Sequence, residues 1–185
     1  TGALDVTFGS EGIVTQDVGT TTVAYDMAID ASGRIVVVGA SDAQVLVLRY
    51  DSIGNLDLTF DTDGIVTQNL VGPSYAYDVA IQPDGKIVVA GESNPDGSAF
   101  LVLRYNDDGS LDTSFSNDGS SDGWTEFGFT GAGSGHSAQA VDLQSDGKIV
   151  VAGYSSSTPP FYLALARLNT DGRRFHGGWF SSLRH

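Results

Sequence analysis

Apolar and polar positions along this chain alternate in short blocks. YDVAIQ (77–82), KIVVAG (86–91) and FLVLRY (100–105) are runs of about six residues rich in Val, Ile, Leu and Tyr. Each is bounded by turn residues, which predicts strands. No stretch holds a 3.6-residue apolar period long enough for a helix. Between the first two runs stands Pro83-Asp84-Gly85. Pro presets φ for the first turn position, Asp tolerates the next, and Gly takes the left-handed position of a bulged hairpin. Ala31-Ser32-Gly33 and Ser145-Asp146-Gly147 fill the same slot, so three hairpins are predicted.

The whole pattern is stated three times. MAIDASGRIVVVG (27–39), VAIQPDGKIVVAG (79–91) and VDLQSDGKIVVAG (141–153) are one phrase. LDVTFGSEGIVTQ (4–16), LDLTFDTDGIVTQ (56–68) and LDTSFSNDGSSDGWTEF (111–127) precede it, and QVLVLRYDSIG (44–54), FLVLRYNDDG (100–109) and YLALARLNTDG (162–172) follow it. GIVTQ, or WTEF in the last unit, adds a fourth strand. Four antiparallel strands per unit of about fifty residues is the arithmetic of a β-propeller blade. The expectation is an all-β chain of three blades, at about 4–55, 56–110 and 111–172. A β-solenoid is the alternative; its coils are usually shorter and lack a hairpin at a fixed place in each unit.

Counting strands raises a question of closure. GIVTQ of the first unit is an outer strand with no inner strands before it, and the third inner set has no outer strand after it. Three blades fall below the range of about four to eight that closes a ring. A two-fold homodimer of six blades is therefore expected, with residues 12–18 of each copy completing the third blade of the other and both exposed edges hidden.

Composition narrows the partners. The net charge is −14, from 9 Lys and Arg against 23 Asp and Glu, which disfavours nucleic acid and anionic membrane surfaces. An acidic surface suits solubility and cations such as Ca²⁺. With 0 cysteines, disulfide scaffolds, thiolate zinc sites and Cys nucleophiles are excluded. No apolar run approaches the roughly 18 residues of a membrane helix. No cationic start precedes an apolar stretch, so no signal peptide is read.

The succession LDxTF, DGIVT, VAIQPDGKIVVAG and LVLRYNDDGSLDTSF resembles the delta-60 repeat, a bacterial β-propeller-type repeat of large secreted or cell-surface proteins. The likeness covers residues 3 to about 172. It implies an extracellular or surface location and no established general activity or catalytic residues. The third unit departs from the pattern: Ala140 stands where Asp26 and Asp78 stand in the others, and RRFHGGWFSSLRH, a basic tail over 173–185, matches no part of it.

Arg49, Arg104 and Arg167 lie in otherwise apolar strands. A buried Arg needs a carboxylate, and Asp5, Asp57 and Asp112 of LDxTF are the candidates. Threefold recurrence argues for structural pairing rather than a ligand site. NDDGSLD (106–112) resembles a calcium loop but lacks the bidentate Glu of an EF-hand, so a plain turn is expected. SSDGWTEF (120–127) resembles an Asp-box turn with the wrong spacing, and Trp124 and Phe127 read as blade packing.

His136 stands at the end of a Gly-rich insertion, just before the innermost strand of the third unit. Asp26, Asp78 and Asp142 lie in the innermost strands. Around a central channel these could hold Ca²⁺ or Zn²⁺ to polarise an ester or phosphoryl oxygen, with His136 and Asp142 as catalytic groups and the three Asp as metal ligands. Two functions follow as expectations: a non-enzymatic binding or structural propeller module, or a metal-dependent ester or phosphotriester hydrolase. A third is carbohydrate or small-molecule binding by Tyr154, Phe161 and Tyr162.

Overall fold

A computed structural model describes residues 2–94, 99–116, 121–129, 135–155 and 161–173. Among these residues eleven strands form three antiparallel sheets. β1 (Thr22–Ile29), β2 (Ile35–Ser41), β3 (Gln44–Tyr50) and β4 (Ile65–Gln68) make the first in that order. β5 (Ser74–Ile81), β6 (Ile87–Ser93), β7 (Ala99–Tyr105) and β8 (Trp124–Phe127) make the second. β9 (His136–Leu143), β10 (Ile149–Ser155) and β11 (Tyr162–Leu168) make the third. Each sheet matches a propeller blade. The tail expected over 173–185 lies outside the described residues except for Arg173.

The hairpin turns form as their residues dictate. In the second blade the Gln82 amide donates to the Lys86 carbonyl at 2.8 Å and the Gly85 amide to the Gln82 carbonyl at 2.9 Å. Gly85 takes φ +87°, the left-handed position of the bulged loop.

Blades stack face to face because their central strands are apolar on both faces. Val36, Val38, Val45 and Val47 of the first blade pack on Val79, Ile87, Val89, Leu101 and Leu103 of the second. Val88, Ala90, Phe100 and Val102 of the second pack on Val141, Ile149, Val151 and Leu168 of the third. Alternate residues of one strand thus serve two interfaces, as period-2 geometry requires. Burying Phe100 alone stabilises by about 2–3 kcal/mol.

Each innermost strand carries a bulge. Ala24 pairs Gly39 and Asp26 pairs Val38, leaving Tyr25 extra; Tyr77 is extra in β5 in the same way. In β9 Ala138 pairs Gly153 and Ala140 pairs Ala152, leaving Gln139 extra. The bulge presses the chain onto the glycine opposite: a Cβ on Gly91 would lie 1.8 Å from the Tyr75 carbonyl oxygen.

Two features follow the strand count made from the sequence. GIVTQ of the first unit, expected as an outer strand without inner strands of its own, makes a Ser10–Ile13 bridge and joins no ladder among the described residues. Among the same residues the third sheet has three strands and no outer one. Nothing described pairs with the outer edge of β11 or with residues 14–18.

Candidate functional site

The recurring charged residues collect at the boundaries between blades. Arg104 projects from β7, where its amide donates to the Gly123 carbonyl at 2.9 Å. Its Nε donates to Asp112 Oδ2 at 2.7 Å and its Nη1 to the Thr170 carbonyl, on the third blade, at 2.5 Å. The guanidinium lies over the Phe115 ring, 4.6 Å from its centroid. Ser114 and Lys86 also serve the Asp112 carboxylate. Burial opposes its ionisation, but the hydrogen bonds from Ser114 and Lys86 and the charge of Arg104 hold it well below the ordinary carboxylate range.

Arg49 repeats the arrangement one blade earlier. Its Nε donates to Asp57 Oδ2 at 2.8 Å, its Nη1 to the Asp107 carbonyl at 2.5 Å, and its guanidinium covers Phe60 at 4.7 Å. These two clasps have the partners the sequence named. Asp107 strengthens the first by a carboxylate 3.0 Å from Arg49 and 2.6 Å from Arg34. Arg167 does not follow: it is exposed, and its Nη1 donates to Gln144 Oε1 at 3.4 Å. Among the described residues the Asp5 carboxylate accepts from Thr7, from its amide at 3.0 Å and its hydroxyl at 2.7 Å.

NDDGSLD is a turn that serves these clasps. Asp107 faces the two arginines, Asp108 accepts from Ser110 at 3.0 Å, and Asp112 holds Arg104. Trp124 and Phe127 are packing residues, Trp124 against the core between the first two blades and Phe127 against Phe100.

The innermost strands form a second set of links. Asp26 Oδ2 accepts the Val79 amide at 3.1 Å, and Asp78 Oδ2 accepts the Val141 amide at 2.5 Å. Asp26 and Asp78 also bond to each other. Burial and the bond to Asp26 push the Asp78 carboxyl up to about 6. Burial works against ionisation of Asp26, but the bonds from Asp78 and the Met27 and Val79 amides hold it below the ordinary range. The pair therefore shares a proton below about pH 6.

Asp142 stays apart from this pair; it is exposed and accepts the Leu143 amide at 2.7 Å. His136 is buried, bonded through Nδ1 to Ser155 at 2.8 Å and edge-on to Phe129. It occupies the first position of β9, the slot of Thr22 and Ser74, six residues and about 20 Å of strand from Asp142. The structure thus brings Asp26 and Asp78 together and leaves His136 and Asp142 separated. Among the described residues no three metal-ligating side chains group.

Aromatic side chains converge at the bulges, which the sequence reading missed. Tyr25 meets Tyr77 edge-on at 5.1 Å, and Tyr77 stacks on Tyr75 at 6.3 Å. Burial and the Glu92 carboxylate bonded to it push the Tyr77 hydroxyl up. Tyr154 and Phe161 are both exposed and meet edge-on at 5.9 Å; Tyr162 is exposed on the adjoining strand. The repeated Tyr-Asp dipeptide at 25–26 and 77–78 was the signal for this row.

No curated protein matches the chain. A family model described as a beta-propeller domain of unknown function, DUF5122, matches at residues 31–60, 82–115 and 144–174, together more than half of the chain. Each match runs from the hairpin turn through the second and third strands of a blade, and the first two reach the LDxTF phrase beyond. The chain belongs to the DUF5122 beta-propeller family.

Proposed function

We propose that the chain is a non-enzymatic structural and binding module, a propeller segment of a bacterial secreted or cell-surface protein. One observation carries this reading: the recurring acids are engaged across blade boundaries. Asp26 and Asp78 hold backbone amides of the next blade, and Asp57 and Asp112 hold buried arginines. Such groups rigidify a scaffold, and a rigid scaffold presents its loops. The likeness to the delta-60 repeat supports the surface location. Exposed Tyr154, Phe161 and Tyr162 suit stacking on a sugar ring, so carbohydrate is the ligand class to try.

The test has two arms. Thermal melts with Ca²⁺, Zn²⁺ or EDTA should coincide, and ester and phosphotriester substrates should show no turnover. A metal-dependent rise in Tm together with turnover would replace this reading with the metal-dependent hydrolase. Failure to bind any sugar on a glycan array would remove the carbohydrate proposal and leave the scaffold.

A further inference from the structure

Each boundary between blades is built from two halves. One half is the arginine of a third strand. The other is an LDxTF hook, whose Asp, hydroxyl and Phe receive it. The hook also docks on the blade that follows: the Asp61 amide donates to the Asp108 carbonyl at 2.8 Å, and the Ser116 amide to the Asp171 carbonyl at 3.1 Å. The first hook docks in the same way, the Gly9 amide donating to the Ile53 carbonyl at 2.8 Å. Its Thr7 bonds Asp5 through amide and hydroxyl, as Thr59 bonds Asp57 and Ser114 bonds Asp112. The hook of residues 4–12 is therefore formed and aimed, but among the described residues no arginine lies on Phe8. At the other end Arg167 has no carboxylate partner among the described residues, and Lys148, paired within its own turn to Asp146, occupies the position from which Lys86 reaches Asp112.

The apolar faces tell the same story. Leu163 is 86% exposed, whereas its counterparts Val45 and Phe100 are 0% exposed. Met27 is 48% exposed, whereas its counterparts Val79 and Val141 are 7% and 9% exposed. The third blade thus offers the uncovered outward face and the first blade the uncovered inward one. These are the two faces that meet at each boundary already present within the chain.

We infer that a second copy of this chain fills both halves: Asp5, Thr7 and Phe8 of one copy clasp Arg167 and Lys148 of the other, and residues 13–16 add the fourth strand to its third blade. Two such seams close six blades into a ring, within the known range of blade number. The internal boundaries fix the register. Val47 pairs Val66 and Val102 pairs Thr125, so Leu165 meets Val14 of the other copy, and Ala164 meets its Thr15. The inference holds whether or not the propeller has an activity.

The test uses the whole chain. Light scattering after size exclusion at micromolar concentration should give twice the 19.3 kDa chain mass. Arg167→Glu puts a like charge against Asp5 and should halve that mass. Because Arg167 is exposed in a single copy, the circular dichroism of this variant should match the parent's. The chain has no cysteine, so a Thr15→Cys/Ala164→Cys variant should yield a covalent dimer on oxidation, reversed by thiol. A parent chain that is monomeric at every concentration, a trimeric mass, or a disulfide that closes within one chain would each overturn the inference.

Discussion

Asp78 reaches across from the second blade to accept the backbone amide of Val141, in the third, at 2.5 Å. Asp26 does the same for Val79 at 3.1 Å. Both amides belong to residues just past the bulge of their strand, where the ladder is interrupted and an unmatched N–H would otherwise be stranded. A carboxylate from the neighbouring blade satisfies it. The bulge and the acid are therefore one device, and it ties each innermost strand to the next. The third blade has Ala140 at this position, so the device is present twice among the described residues.

The shared proton makes this link sensitive to pH. The Asp78 carboxyl is raised to about 6 in the folded chain, against about 3.9 unfolded. Between these values the folded chain holds a proton that the unfolded chain lacks, so stability falls as pH rises through the window. The contribution is fully present below about pH 4. Asp78→Asn keeps both bonds, its amide donating to Asp26 and its carbonyl accepting from Val141, and removes the titration. The variant should be more stable than the parent at pH 7 by about 1 kcal/mol after solvent screening. Urea midpoints from pH 4.5 to 7 check this; parallel curves for the two proteins would contradict it.

Arg104→Met should destabilise strongly. The substitution leaves Asp112 buried and strips a cation from the Phe115 face. Removing one partner of a buried pair costs about 3–5 kcal/mol. Lys86 still stands 2.9 Å from Asp112, which places the loss near the lower end. Replacing both partners, as Arg104→Met/Asp112→Leu, removes the stranded charge and should recover part of the loss. A chemical-denaturation midpoint unchanged by Arg104→Met would show the clasp to be without weight.

The clasps were legible because repetition fixes register: the arginine of LVLRY and the aspartate of LDxTF stand eight residues apart in two successive units, and the fold closes that interval around a turn. The blade boundaries were legible for the same reason. Asp107 was not, because Ser52 and Thr170 hold its slot in the other units and repetition carries no signal there. His136 was read from its neighbours in the chain rather than from its place in the strand. The slot it fills, opposite Ser155, is set by the strand register, and its counterparts Thr22 and Ser74 are small hydroxyl residues. The bulge tyrosines were hidden because an extra residue shifts the alternation of a strand without interrupting its apolar character; what locates the bulge is the glycine on the facing strand.

That glycine supports a prediction in which the sign decides. In an ordinary strand position, replacing Gly by Ala stabilises by about 0.5–1 kcal/mol, because the unfolded chain loses freedom. At Gly91 the new methyl would lie 1.8 Å from the Tyr75 carbonyl oxygen and 3.1 Å from the Ala76 Cα. Both obstacles are backbone, so no side-chain rotation relieves the overlap, and the bulge itself would have to open. Opening it moves Tyr77 off Tyr25 and Asp78 off Val141, so the cost reaches the next blade. Gly91→Ala should therefore lower stability by about 2 kcal/mol or more, as overpacked cores do, and lower the Tm. Hydrogen exchange should localise the damage: the Val141 amide, in the third blade, should lose protection along with the amides of β5. A Tm at or above the parent's would mean that the bulge yields without cost and does not bind the blades together.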